Sequence, residues 1–114
     1  MPTVYWSLKR TAGGWEGHIV VHLNPGVVEG GGNHKTSARG KTRAEAIGKA
    51  AISAERIVNA VEQDPIARLL LPPGAVPAIE GIKAIAKAHP VGRAMEAVEA
   101  LGGNPTYRKL ASIL

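Results

Sequence analysis

Between Val4 and Lys9 apolar and polar residues alternate, with Val4, Trp6 and Leu8 on one side and Tyr5, Ser7 and Lys9 on the other. This is the period-2 pattern of a half-buried strand, and it predicts one over residues 4–10. Ala12-Gly13-Gly14 reads as a turn. The alternation then resumes from Trp15 to Leu23, with Trp15, Gly17, Ile19, Val21 and Leu23 on one face and Glu16, His18, Val20 and His22 on the other. The two segments predict a hairpin with one wet face. Asn24-Pro25-Gly26 and the glycines at 30–32 interrupt regular structure. Residues 33–39, polar on both faces, predict a third strand at a sheet edge.

The period changes at Thr42. Thr42-Arg43-Ala44-Glu45 matches a capping box, in which the Thr42 hydroxyl accepts from an unpaired helix amide and Glu45 reaches back to the amide of Thr42. Ile47, Ala50, Ala51, Ala54, Ile57, Val58 and Val61 recur at three- and four-residue spacing, which predicts one long helix lying across the sheet. Asp64-Pro65 stops it, and Asp64 is suited to capping a short segment that Pro65 opens. Pro72-Pro73-Gly74 makes a further break, after which a helix opened by Pro77 ends before Pro90. Val91, Ala94, Met95, Val98 and Leu101 share one face of another helix with Gly102 as its C-terminal cap, and Asn104-Pro105 starts a last one bearing Tyr107, Leu110 and Leu114. The expected fold is α+β: a small three-stranded antiparallel sheet packed on one long helix, followed by several short C-terminal helices. Its expected division is a basic β-β-β-α module over 1–64 and a helical docking or oligomerisation region over 65–114.

Composition sharpens the second half of that reading. In 114 residues only 4% are aromatic, Phe is absent and 14 are Gly, so the core must be built from Val, Ile, Leu and Ala. Such a core is thin, and thin cores in small chains are often completed by a partner. On this reading Leu69, Leu70, Leu71, Ile79, Ile82, Val98 and Leu114 are the expected partner-docking residues, facing a second copy or a larger assembly. The absence of cysteine removes disulfides, thiolate metal sites and thiol nucleophiles. The uncharged run from Leu69 to Ile79 is too short and too rich in proline to span a bilayer, and the first ten residues lack a basic start followed by an apolar run. The expected location is cytoplasmic, or the virion for a phage-encoded protein.

The formal charge of +5 is unevenly placed. Residues 1–56 hold eight Lys/Arg against four acids, while 57–114 hold six against five. Lys35, Arg39, Lys41 and Arg43 fall within nine residues without an acid, beside His34. A cluster of this kind is an electrostatic footprint for a polyanion or an acidic protein surface, and equally a solvated face that keeps the chain soluble. Gly40-Lys41-Thr42 has the ending of a nucleotide-binding phosphate loop, but the position that must be glycine, five residues before Gly40, is Lys35. What remains is a helix start flanked by cations, able to hold a phosphate without hydrolysing it. His18 and His22 share a strand face about 13 Å apart, too far to ligate one ion. No Ser-His-Asp order or carboxylate pair emerges, so the expectation is a non-enzymatic binding protein with no cofactor and no metal.

The run from Gly13 and Trp15 through the polar strand to Thr42, Glu45 and Ala46 resembles three-strand-plus-helix nucleic-acid-binding modules over about residues 3 to 60. One group is the arm-binding domains of phage-type integrases, together with the plant ethylene-response DNA-binding domains, which have a similar G-x-W strand and Thr-x-x-Glu-Ala helix start. There the sheet enters the major groove, which implies that His18, His22, Lys35, Ser37 and Arg39 lie near duplex DNA. The other is the double-stranded RNA-binding domain, whose last helix begins with basic residues on phosphates, matched by Lys41 and Arg43. The alternative expectation, from the small-residue helices of the second half, is a structural subunit such as a minor or capsid-associated phage virion protein.

Overall fold

The chain runs β1 (Val4–Thr11), β2 (Gly14–His22), β3 (Asn33–Gly40), α1 (Arg43–Gln63), α2 (Pro65–Leu69), α3 (Ala75–Ala88), a single 3-10 turn (His89–Val91) and α4 (Ala94–Ala100). The computed structural model describes residues 4–22, 33–69 and 75–101. The fold is α+β, with an antiparallel sheet in the order β1-β2-β3 that leaves β3 at an edge. Register places Trp6, Ile19 and Thr36 in one row, with Val4, Val21 and His34 on one side of it and Leu8, Gly17 and Ala38 on the other. This is the face that α1 covers.

Helix α1 lies very close to the strands because its contact residues are small. A Cβ added to Gly17 would come within 2.7 Å of the Ala46 backbone, and one added to Gly40 within 2.7 Å of the Ala46 amide nitrogen. Any side chain at 17 or 40 would push the helix off. Thr36, a polar residue on the packed face of β3, reaches the helix itself: its Oγ1 lies 3.1 Å from the Ala50 carbonyl oxygen and 3.3 Å from that of Ile19, a shared hydroxyl donor. That accounts for a polar residue at position 36 on the packed face of β3. A buried hydroxyl with a carbonyl partner escapes the desolvation cost that an unpaired one would carry.

The helix starts where the capping residues predict, with one difference in detail. Thr42 Oγ1 accepts from the Glu45 amide at 3.1 Å. The Glu45 carboxylate turns to the amide of Lys41 at 3.3 Å rather than to that of Thr42. The Asp64 Oδ1 accepts from the Ile66 amide at 3.0 Å, so one residue ends α1 and caps α2, with Pro65 in the first position.

On its other side α1 carries α3 and α4. Ile79, Ile82 and Ile85 of α3 and Ala94 and Val98 of α4 are buried in the same cluster as Trp6, Ile19, Ile47, Ala54 and Val58. The layers are therefore sheet, α1, then the α3–α4 pair, and one hydrophobic core runs through all three. This corrects the expected docking surface: Ile79, Ile82 and Val98 are consumed by the core, because α1 has a second apolar side that only α3 and α4 cover. Leu69 is 85% exposed, and Leu70, Leu71 and Leu114 lie outside the described residues, as do Gly102 and the segment from Asn104 onward. Val91 is likewise not on the apolar face of α4. Gly92 adopts φ +75, which breaks the chain direction between the 3-10 turn and α4 and leaves Val91 in solvent. Among the described residues no helix is long and apolar enough to cross a membrane.

Replacing Gly17 by Val should destabilise the protein by about 1–3 kcal/mol, the usual cost of forcing bulk into a closed contact, measured as a lowered midpoint in urea. A chain ending at Asp64 should lose its cooperative unfolding transition, because it exposes the outer side of α1. A truncated chain that melts as sharply as the full one would show instead that the first 64 residues fold alone.

Candidate functional site

The sheet face opposite α1 is a lattice of three rows: Tyr5, Val20 and Lys35; Ser7, His18 and Ser37; Lys9, Glu16 and Arg39. Its centre is not wet. Ser7 is 1% exposed, His18 2% and Val20 fully buried, which overturns the expectation of an open polar face on the hairpin. His18 sits mid-strand in the central strand, with Ser7 and Ser37 across from it. Ser7 Oγ has no hydrogen-bond partner among the described residues.

His18 is therefore buried, not exposed on an open face. Its Nε2 lies 2.8 Å from Glu16 Oε1. Burial pushes the imidazole below its ordinary value of 6.5, outweighing the pull of Glu16 in the other direction, and Lys35 and Lys9 further disfavour a positive ring. Glu16 also meets Arg39 across the strands, 3.5 Å from its Nε. Arg39 remains largely exposed, at 82% of its side chain, so this pair adds little stability.

The other expected contact residues divide clearly. Lys35, Ser37 and Arg39 are exposed and occupy alternate positions of the edge strand β3, on one face. Lys41 and Arg43 are exposed at the junction of β3 and α1. His22 ends β2 opposite Asn33, and its side chain lies outside the described set. Because residues 33–40 form a strand, nothing before Lys41 can curl into a phosphate loop, and the Thr42 hydroxyl serves the helix cap.

Lys9 joins the Lys35, Ser37 and Arg39 face, while Arg10 and Trp15, which sequence spacing did not mark either, lie at the same end of the sheet on the face that α1 covers. The Ala12-Gly13 turn sets the register that brings Arg10 opposite Trp15 and Lys9 opposite Glu16, with Arg39 on its far side. A parity count outward from that turn places Lys9 and Glu16 on the open face and Arg10 and Trp15 on the helix face. The guanidinium carbons of Arg10 and Arg43 lie 5.6 Å and 5.3 Å from the Trp15 ring centroid, within cation–π range. Beside the ring is an open depression of about 420 Å³ bounded by Gly13, Trp15, Arg39, Gly40, Lys41 and Glu45. The Glu45 carboxyl is held below its ordinary value of 4.5 first by Lys49, whose Nζ is 2.8 Å away, and then by the Lys41 amide.

Among the described residues from 4 to 43 six Lys/Arg stand with one carboxylate, Glu16. From 44 to 101 six stand with seven. The helical layers are thus nearly balanced, and the excess charge lies on the sheet and the start of α1. No three His, Asp or Glu side chains among the described residues come together as a metal cluster.

The depressed His18 value carries a pH signature. Between 6.5 and the folded-state value the unfolded chain binds a proton that the native chain refuses, so stability is full above 6.5 and falls as pH drops below it. Denaturant titrations from pH 8 downward should show this decline, and His18→Gln should flatten it. A wild-type midpoint that is constant over this window would contradict the assignment.

No protein-family model matches this chain, and neither a curated protein nor a solved structure matches it.

Proposed function

We propose that the protein is a small non-enzymatic binding protein that engages the phosphate backbone of a nucleic acid. The observation that carries this reading is the alignment of Lys35, Ser37 and Arg39 on one face of an edge strand, with Lys41 and Arg43 following at the end of that strand and Arg10 at the same end on the helix face. Lys35 and Arg39 are about 13 Å apart along the strand, so the cations form a band and not a point. A linear polyanion neutralises such a band at several places at once, which a single small anion does not. The band is exposed while the acids of the chain sit mostly on the helical layers, where they are matched. Ser37 and the peptide groups of the outer β3 edge add uncharged hydrogen-bonding groups of the kind that fix register on a backbone. His18 takes no part.

A second reading rests on a different surface. Ile66 and Leu69, one turn apart on α2, are 70% and 85% exposed, and apolar side chains so placed suit docking on a neighbouring subunit of an assembly.

Binding of labelled oligonucleotides followed by anisotropy over a range of salt separates the two. On duplex DNA log affinity should fall linearly with log salt, each neutralised phosphate contributing about 0.9 to the slope. Replacing Lys35, Arg39, Lys41 and Arg43 together by Ala should remove most of the affinity and flatten the slope. A chain that binds no nucleic acid at low salt, yet forms oligomers in light scattering that Ile66→Glu with Leu69→Glu disperses, would favour the assembly subunit.

A further inference from the structure

The depression beside Trp15 has walls of a particular chemistry. One is an indole whose neighbours Gly13 and Gly40 carry no side chain to crowd it. Two others are the cations Arg39 and Lys41, and Glu45 stands among them as an ionised carboxylate. A bare inorganic anion suits this set poorly, since the carboxylate repels it and the indole offers it nothing. A planar heterocycle with ring N–H or amino groups and an attached phosphate suits it well: the flat face stacks on Trp15, the donors meet Glu45, and the phosphate meets Arg39 or Lys41. At about 420 Å³ the space matches one such group, in the size class of pockets that take a single small ligand, roughly 300–1,000 Å³.

We propose that this depression receives one unpaired base of a single-stranded nucleic acid, stacked on Trp15, while the flanking phosphates meet Arg39 and Lys41. The inference rests on the reading of the basic band as a nucleic-acid surface and adds the strand type. Bases within a duplex have both faces covered by their neighbours, so stacking of a base on Trp15 in this open depression requires a strand whose bases can be splayed out. Arg10 and Arg43 already stand over the indole, so on this proposal a base competes with or adds to those guanidinium contacts.

Tryptophan emission reads the site directly. The chain has two tryptophans, and Trp6, 3% exposed in the core, is shielded from any ligand. A short single-stranded oligonucleotide should quench the emission of the full chain, and the matching blunt duplex should do so far less. Trp15→Leu should weaken single-strand affinity about tenfold, the order expected for one lost stack, with the salt slope and the duplex affinity unchanged. Trp15→Phe should recover part of the loss, and equal urea midpoints would show that the variants are folded. If the single strand binds with a steep salt slope but leaves the emission unmoved, or if Trp15→Leu weakens duplex and single strand alike, the base site is wrong and the basic band stands. If neither strand type binds at low salt, both readings fall together.

Discussion

The seat that Gly17 and Gly40 make for Ala46 is the contact on which the other layers depend. With no side chain at 17 or 40, the backbone of α1 settles against the strands at a distance that ordinary residues would not allow. Thr36 can then bond the Ala50 carbonyl directly, and the helix presents mostly small residues along its buried stripe. A chain with no Phe and few aromatics fills its interior in this way, by bringing backbones together instead of inserting large side chains. The same closeness frees the far side of α1 for α3 and α4, so that a single 21-residue helix is covered on two sides.

That seat also sets the geometry of the basic end. Because α1 begins directly over the end of β3, Arg43 comes against Trp15 and Glu45 reaches the Lys41 amide. The aromatic ring, the cations and the depression beside them therefore depend on a helix start that packing pins on one side and a capping bond on the other. Such a constellation is held by rigid elements, the condition under which a weak set of surface contacts can become specific.

Charge is distributed by the same layering. The helices have to pack on both sides of α1, and their remaining exposed positions carry acids and bases in nearly equal number. The sheet is packed on one side only by the described helices, and the cations gather on its other face and rim. At the centre of that face His18 is kept toward its neutral form by burial, with Lys9 and Lys35 nearby. A second class of residue thus lies inside the basic band, buried, next to the exposed residues that define it.

Much of the architecture was legible in the chain because it is written in local rules. Period-2 alternation identified β1 and β2, a polar run between breakers identified β3, and Thr42 and Asp64 marked the ends of α1 within a residue, since strand pleat, helix period and capping each act over four residues or fewer. Local rules also explain the charge cluster at 35–43, which proximity in sequence makes visible. They could not say which apolar faces meet. Ile79, Ile82 and Val98 look like docking residues until α1 is seen to have a second side, and His18 looks wet although it is buried. Nor could they bring Arg10, Trp15, Arg39, Lys41 and Arg43 to one end of the molecule. That arrangement depends on strand register and on the distance between helix and sheet, which are settled by contacts between residues far apart in the chain, and so only the tertiary structure decided it.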